Sequence, residues 1–115
     1  MISPAAEFKF SVVEDTDQSF RTEWPVPADL PYFDGHFPGF PVLPAVAIVD
    51  ATVELIRKGL GLEELRVSRI VSAKFMSPVT PGSKVEISVQ RSPGSDWKAE
   101  WRASGKLMAD LRLHF

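Results

Sequence analysis

The segment from Pro31 to Ile56, PYFDGHFPGFPVLPAVAIVDATVELI, constrains the fold more than any other part of the chain. Four prolines between positions 31 and 44 fix φ and remove backbone donors, so an extended, irregular loop is predicted up to Leu43. A helix is predicted from Pro44 to Lys58, because proline suits the first helical turn and Gly59 is typical of a C-terminal stop. Its first two turns are apolar on every side and are therefore expected to be buried all round.

Alternating apolar side chains predict strands on both sides of this helix. Two runs precede it and four follow it, and the turns between them contain Asp, Pro or Gly. The six runs lie at about 8–12, 20–26, 65–75, 85–90, 97–103 and 107–113. Short connections favour a single antiparallel sheet, and a buried helix must then lie across one of its faces. The prediction is a single α+β domain over residues 1–115, with one long central helix wrapped by an antiparallel sheet of about six strands.

Composition and charge exclude several classes of function. The net charge of −2 and the absence of a Lys/Arg cluster argue against nucleic acid or an anionic membrane as a partner. The chain has no cysteine, which removes disulfides, thiol nucleophiles and zinc–thiolate sites. Two histidines alone make a poor metal site, and His114, next to the C-terminal residue, is expected to be exposed. No basic stretch precedes an apolar core at the N-terminus, so we expect a soluble, cytoplasmic protein.

Two interpretations of the polar residues in the organising segment remain open on spacing alone. His36 lies in a Gly/Pro loop, where a histidine is commonly a turn or packing residue. A charged stripe along the helix is typical of a solvated face with a Glu54–Lys58 pair, and it contains Asp50, Glu54, Arg57 and Lys58. The other interpretation is proton transfer, because Asp50 follows apolar residues expected to be buried and aromatic residues near His36 could line an apolar pocket. Those aromatic residues are Tyr32, Phe33, Phe37 and Phe40.

The same segment carries a family resemblance. Residues 32–46, YFDGHFPGFPVLPAV, resemble the GHFPxxPxxPGV signature of the hot-dog-fold 3-hydroxyacyl-(acyl carrier protein) dehydratases of fatty acid synthesis. Residues 73–82, AKFMSPVTPG, are similar to that family's A-[KR]-F-x-x-P-V-x-P-G strand and turn. The resemblance implies the hot-dog fold and a reversible, cofactor-free dehydration of a 3-hydroxyacyl thioester, carried on acyl carrier protein, to a trans-2-enoyl thioester.

The resemblance also implies a role for each matching residue. His36 is expected to abstract the proton next to the thioester carbonyl, and Asp50, fourteen residues on, to protonate the departing 3-hydroxyl. Phe33 and Phe37 are not assigned by the resemblance: as aromatic residues near His36 that could line an apolar pocket, they are expected to contact the substrate. Ala45 stands where the family has a glycine whose backbone N–H polarises the thioester carbonyl, and alanine keeps that N–H.

Glu54 is the larger departure from the family pattern, which usually has a glutamine that hydrogen-bonds the acid. A glutamate donates no hydrogen bond unless protonated, and two carboxylates one turn apart repel. If Asp50 and Glu54 are shielded, the pKa of at least one of them is therefore expected to rise. The alternatives are a hot-dog acyl thioesterase, in which a carboxylate activates water, and a catalytically weak acyl-binding protein.

A homodimer, or an oligomer built from dimers, is the expected assembly. In the family the sheets of two protomers join, and each site takes its histidine from one chain and its acid from the other. The sequence offers its own reason, since Trp97, Trp101 and the aromatic loop present more apolar surface than one sheet on one helix is expected to cover.

Overall fold

The computed structural model describes residues 11–15, 19–27, 42–60, 66–91 and 96–115, and only the backbone of 11–15 and 60. These residues form one helix, α1 (Ala45–Leu60), and the strands β1 (Ser11–Asp15), β2 (Ser19–Pro25), β3 (Arg69–Phe75), β4 (Lys84–Arg91), β5 (Asp96–Ala103) and β6 (Lys106–His114). The six strands form one antiparallel sheet in the order β1-β2-β4-β5-β6-β3. The predicted α+β architecture is confirmed. The turn predicted at 92–95, and most of that at 15–17, lie outside the described residues.

One face of this sheet and one side of α1 form the core. Alternate residues of β2, β4, β5 and β6 are buried, as their period-2 patterns predicted, whereas the residues between them are more exposed. The buried side chains of these strands are Phe20, Thr22, Trp24, Val85, Ile87, Val89, Trp97, Ala99, Trp101, Ala109, Leu111 and Leu113. Strand β2 ends at Pro25, where the sequence predicted a stop.

The ends of α1 differ from the prediction. Pro44 caps the helix instead of beginning it, because its carbonyl accepts hydrogen bonds from the N–H groups of Ala47 at 3.0 Å and Ile48 at 3.2 Å. Gly59 lies within the helix and does not end it. A Cβ atom at this position would lie 2.5 Å from Cζ of Phe20, so the glycine allows close packing of the helix on β2. Among the described residues, no helix is long and apolar enough to cross a membrane.

The expectation that the start of α1 is buried all round is wrong. Ala47, Ile48 and Ala51 are buried against the sheet, but Ala45 is exposed and Val46 keeps 61% of its surface accessible. A helix on one face of a sheet has one side covered by that sheet, and apolar residues on the other side need a different partner. The start of α1 is therefore an apolar surface in the single chain.

A buried hydrogen-bond chain fixes the middle of α1 to β5. The Trp101 indole Nε1–H donates to Oγ1 of Thr52 at 3.0 Å, and the Thr52 hydroxyl donates to the carbonyl of Ile48 at 2.7 Å. Thr52 and Trp101 have no exposed surface, and Trp101 packs edge-to-face on Trp24 with ring centroids 5.8 Å apart. This buried polar contact between the helix and the sheet thus favours one rotation of the helix.

Thr52→Val is expected to lower the free energy of unfolding by about 1–3 kcal/mol, because it leaves the buried indole N–H without an acceptor while keeping the side-chain shape. Chemical denaturation of the variant and the wild type measures this loss. In a Trp101→Phe background the same substitution removes no partner, so its cost should fall. An equal cost in both backgrounds would show that the hydrogen bond does not stabilise the fold.

The edge strand β3 has exposed residues throughout. Its apolar members include Ile70, 50% exposed, and Phe75, 43% exposed. Trp97 and Trp101, in contrast, are 4% and 0% exposed, so the prediction that they form surplus apolar surface is wrong. Their strand is flanked by neighbours on both sides, whereas β3 pairs only with β6 in the described sheet.

Candidate active site

An apolar cleft of about 250 Å³ opens beside the first turn of α1. The backbone N–H of Leu43 donates to the carbonyl of Val79 at 2.7 Å, which ties the chain before the helix to the segment that follows β3. The residues lining the cleft are Val42, Leu43, Ala45, Ile48, Phe75, Met76, Ser77, Pro78 and Val79. A cleft with these walls suits an acyl chain, and its outer wall of Phe75 and Met76 is 43% and 47% exposed.

Ala45 places the N-terminus of the helix on this cleft. The N–H groups of Ala45 and Val46 come before any helical carbonyl that could accept from them, and the helix dipole adds partial positive charge there. A carbonyl oxygen that acquires negative charge is stabilised at such a position. Ala45 thus lies at the helix N-terminus beside the cleft, and its carbonyl-polarising role stays a prediction.

Asp50 has an environment suited to a general acid. Its side chain is half-buried, and burial, which penalises the charged form, raises the pKa of its carboxyl above the ordinary value. The positive charge of Arg57 acts in the opposite direction and lowers this pKa. A raised pKa favours the protonated form of the carboxyl, which is the form that a proton donor requires.

The charge interactions of Glu54 differ from those predicted from its spacing. The predicted rise in the pKa of Asp50 has burial as its first cause, not repulsion from Glu54. Glu54 instead forms an ion pair with Arg57, whose Nη1 lies 3.8 Å from Oε2 of the glutamate. The interpretation of this face as a charged stripe predicted an ion pair between Glu54 and Lys58. The cation 3.8 Å from the Glu54 carboxylate is Arg57, three positions along the helix.

Asp50 and the cleft lie on different sides of the helix. Asp50 follows Ala45 by five residues and Ile48 by two, which places it about 140° and 160° around the helix axis from them. It is not among the residues that line the cleft. Within one chain, the helix N-terminus and the Asp50 side chain therefore face different directions.

The remaining predicted site residues are His36, Phe33 and Phe37, and all three lie outside the described residues. The second histidine, His114, was expected to be exposed, but it is half-buried. Its Nδ1 lies 2.7 Å from Oδ1 of Asp96, and its backbone carbonyl accepts hydrogen bonds from Ser68. This contact joins β5 to β6, and it involves none of the predicted site residues.

Sequence reasoning missed two contributions to the site. The wall formed by residues 75–79 was recognised only as part of a family motif, although the S-P-V run directly after a strand was available as a signal. Arg57 was assigned to a solvated stripe. Its contact with Glu54 and its electrostatic effect on Asp50 depend on side-chain direction, which the helical spacing alone did not determine.

Solved structures with the same architecture place this chain in the hot-dog class. The dehydratase heterocomplex ApeI:P from Xenorhabdus doucetiae superposes with a TM-score of 0.79 at 19% identity, covering 92% of this chain and 96% of that chain. Thioesterase superfamily member 2 from Mus musculus superposes with a TM-score of 0.70 at 17% identity, covering 91% and 79%. At these identities the likeness establishes the hot-dog fold alone, and this fold carries both kinds of protein.

Sequence comparison identifies the family within that class. The ApeI-like family model, described as ApeI dehydratase, matches residues 12–111, and the chain belongs to this family. A 3-hydroxyacyl-[acyl-carrier-protein] dehydratase FabZ from Rhizobium rhizogenes is 31% identical over 109 residues, covering 86% of this chain and 69% of the relative. A FabZ from Cereibacter sphaeroides is 37% identical over 95 residues, covering 72% and 61%. The chain thus spans about two thirds of the length of these relatives, 69% of the first and 61% of the second.

Proposed function

We propose that this protein catalyses the reversible dehydration of a 3-hydroxyacyl thioester to the trans-2-enoyl thioester. Membership of a dehydratase family and the likeness to FabZ enzymes support this activity. The observation that carries it is the half-buried carboxyl of Asp50, whose raised pKa suits proton donation, on the helix whose N-terminus borders an apolar cleft. A hydroxyl leaves readily only if it is protonated as the C–O bond breaks, so a proton donor is the central requirement.

The reaction requires a base, an acid and a polarised carbonyl. His36 takes the proton from C2, and the electron pair of that C–H bond forms the C2–C3 double bond. The C3–O bond breaks, and Asp50 gives its proton to the departing oxygen, which leaves as water. The N–H of Ala45 stabilises the negative charge that develops on the thioester oxygen. The proton gained by His36 later replaces the one lost by Asp50, so the cycle needs no redox cofactor.

The active site is composite in this proposal, built by two copies of the chain. Ala45 and Asp50 face different sides of the helix, so a site that uses both is completed by a second copy. The exposed edge of β3, with Ile70 and Phe75, and the exposed Val46 supply an apolar surface for that copy. Pairing of β3 with the second copy would also give hydrogen-bond partners to the backbone N–H and C=O groups at this edge of the sheet. Native mass spectrometry tests the assembly, since a dimer of identical chains is expected and a monomer at working concentration would contradict it.

The acyl group is carried by acyl carrier protein in this proposal. The FabZ relatives are dehydratases of acyl-carrier-protein thioesters by name. A hydroxyacyl group presented on acyl carrier protein and on coenzyme A, at equal concentration, tests this choice. A higher kcat/KM for the carrier-protein thioester is expected, and a higher value for the coenzyme A thioester would reverse it.

A two-channel assay with 3-hydroxyacyl thioesters of several chain lengths tests the activity. Ultraviolet absorbance detects the conjugated enoyl thioester, while a thiol reagent detects hydrolysis. Enoyl product without free thiol is the expected result. Free thiol without enoyl product would identify a thioesterase, and neither product, with the acyl ligand bound, would identify an acyl-binding protein.

A further inference from the structure

Arg57 lies in a group of charges that the dehydration mechanism does not use. Its Nη1 is 3.8 Å from Oε2 of Glu54, and the two side chains are only 26% and 18% exposed. Asp50, Glu54 and Arg57 are spaced i, i+4 and i+7, so they share one face of α1. Partial burial of this pair makes its electrostatic influence larger than that of an exposed surface pair.

Helix geometry directs the guanidinium of Arg57 toward Asp50. Side chains on a helix lean toward its N-terminus, so a long residue at position 57 covers the turn that precedes it. The Glu54 contact agrees with this direction, because Glu54 occupies that preceding turn. The Coulombic effect of Arg57 on the carboxyl of Asp50 is an additional sign that the charge reaches this far along the helix.

Few other charges in the described ranges act on Asp50. On α1 itself the charged neighbours are Glu54, Arg57 and Lys58, of which Lys58 is exposed. The side chains that the sheet buries toward the helix are apolar except for Thr22, and none of them titrates. His36, from the second copy in the proposed dimer, is the remaining titratable group to consider. Arg57 is thus the nearby cation best placed to influence Asp50.

We propose that Arg57 is a positioning residue of the active site, which holds one positive charge beside Asp50 through its ion pair with Glu54 and so sets the pH at which that carboxyl loses its proton. This inference rests on the proposed function for its catalytic consequence. The ion pair also accounts for the glutamate at a position where the family usually has glutamine. Glu54 holds the arginine in place and partly neutralises its charge. The net electrostatic effect of the pair on the Asp50 carboxyl is therefore small.

The direction of each charge change follows from this arrangement. Arg57→Gln removes a cation and leaves Glu54 uncompensated, and both effects favour the protonated form of Asp50. The pKa of Asp50 should therefore rise. Glu54→Gln removes an anion and releases Arg57 to act on Asp50 alone, so this pKa should fall. The double variant removes one charge of each sign and should lie between the single variants, near the wild type.

Carbon-13 NMR titration of the Asp50 side-chain carboxyl in the full-length protein measures these shifts without turnover. Lys58→Gln is the matched control, since it removes the same charge one residue away from an exposed position. The expected result is opposite shifts for the two single variants, near-cancellation in the double variant and a smaller shift for Lys58→Gln. A shift in Arg57→Gln no larger than in Lys58→Gln, or single variants that move in the same direction, would overturn the proposal.

The pH dependence of kcat adds the catalytic consequence. The profile limb that reports Asp50 should move in the same direction as the NMR titration in each variant, with Glu54→Gln remaining active. If the titrations shift as expected while no dehydration occurs in any variant, the proposed function is wrong and the electrostatic role of Arg57 stands. If dehydration occurs but its pH limbs do not follow the titrations, Arg57 does not act on catalysis through Asp50.

Discussion

His36→Ala is expected to reduce the turnover of a 3-hydroxyacyl thioester about 10²–10⁴-fold, because it removes the proposed general base. The prediction rests on the GHFP motif, in which His36 matches the family's catalytic histidine. Steady-state kinetics measure the loss, and circular dichroism checks that the secondary structure is retained.

The other histidine supplies a control for this prediction. His114 pairs with Asp96 between two strands, and no part of the proposed mechanism uses it. His114→Gln should therefore retain most of its turnover per folded molecule. If His36→Ala also retained most of its turnover, the assignment of the base would be wrong.

Asp50→Asn is expected to cause a similar loss, and its combination with His36→Ala tests the composite site. Each variant alone is inactive in both sites of its dimer. Mixed dimers, formed by co-expression or by refolding together, contain one wild-type site and one doubly defective site. Random assortment makes about half of the dimers mixed, so roughly a quarter of wild-type activity should return.

A matched mixture shows whether the recovery has this origin. His36→Ala mixed with the double variant His36→Ala/Asp50→Asn forms dimers as well, but none of them has an intact site. This mixture should stay inactive. No recovery from the first mixture, with mixed dimers confirmed by mass spectrometry, would place both residues in one chain or exclude Asp50 as the acid.

Much of the fold could be predicted because burial follows simple periods. The alternation in β4 predicted that Val85, Ile87 and Val89 share one face of a half-buried strand, and all three are buried. The predicted helix end at Gly59 was wrong. Glycine occurs both at helix ends and where two elements pack closely, and the local sequence does not show that the Phe20 ring packs against Gly59. A close contact between residues distant in sequence decided that case.

Exposure of apolar residues was harder to predict than their burial. Val46 and Trp101 are both apolar, but Val46 is 61% exposed and Trp101 is fully buried. Trp101 lies on a strand inside the sheet, whereas Val46 lies on the side of the helix that the sheet does not cover. The sequence pattern does not show which strands lie inside the sheet or which side of the helix the sheet covers.

Candidate site residues could be chosen from the sequence where a family motif covers them. Contacts between their side chains could not be predicted in this way, because they depend on geometry. Ala45 and Asp50 were chosen by family position. The structure places Ala45 at the helix N-terminus and leaves the Asp50 side chain half-buried. The ion pair between Glu54 and Arg57 depends on side-chain direction, which the helical spacing did not determine. His36 remains a prediction from the motif.

Incubation of a trans-2-enoyl thioester with the protein in oxygen-18-labelled water tests the proposed chemistry most directly. Dehydration is reversible, so the same acid and base should add water across the double bond. The account predicts a 3-hydroxyacyl thioester that carries the label on its C3 oxygen and keeps its thioester bond, as read by mass spectrometry of the product and its fragments. Label in the carboxylate of a released free acid, with none at C3, would contradict it.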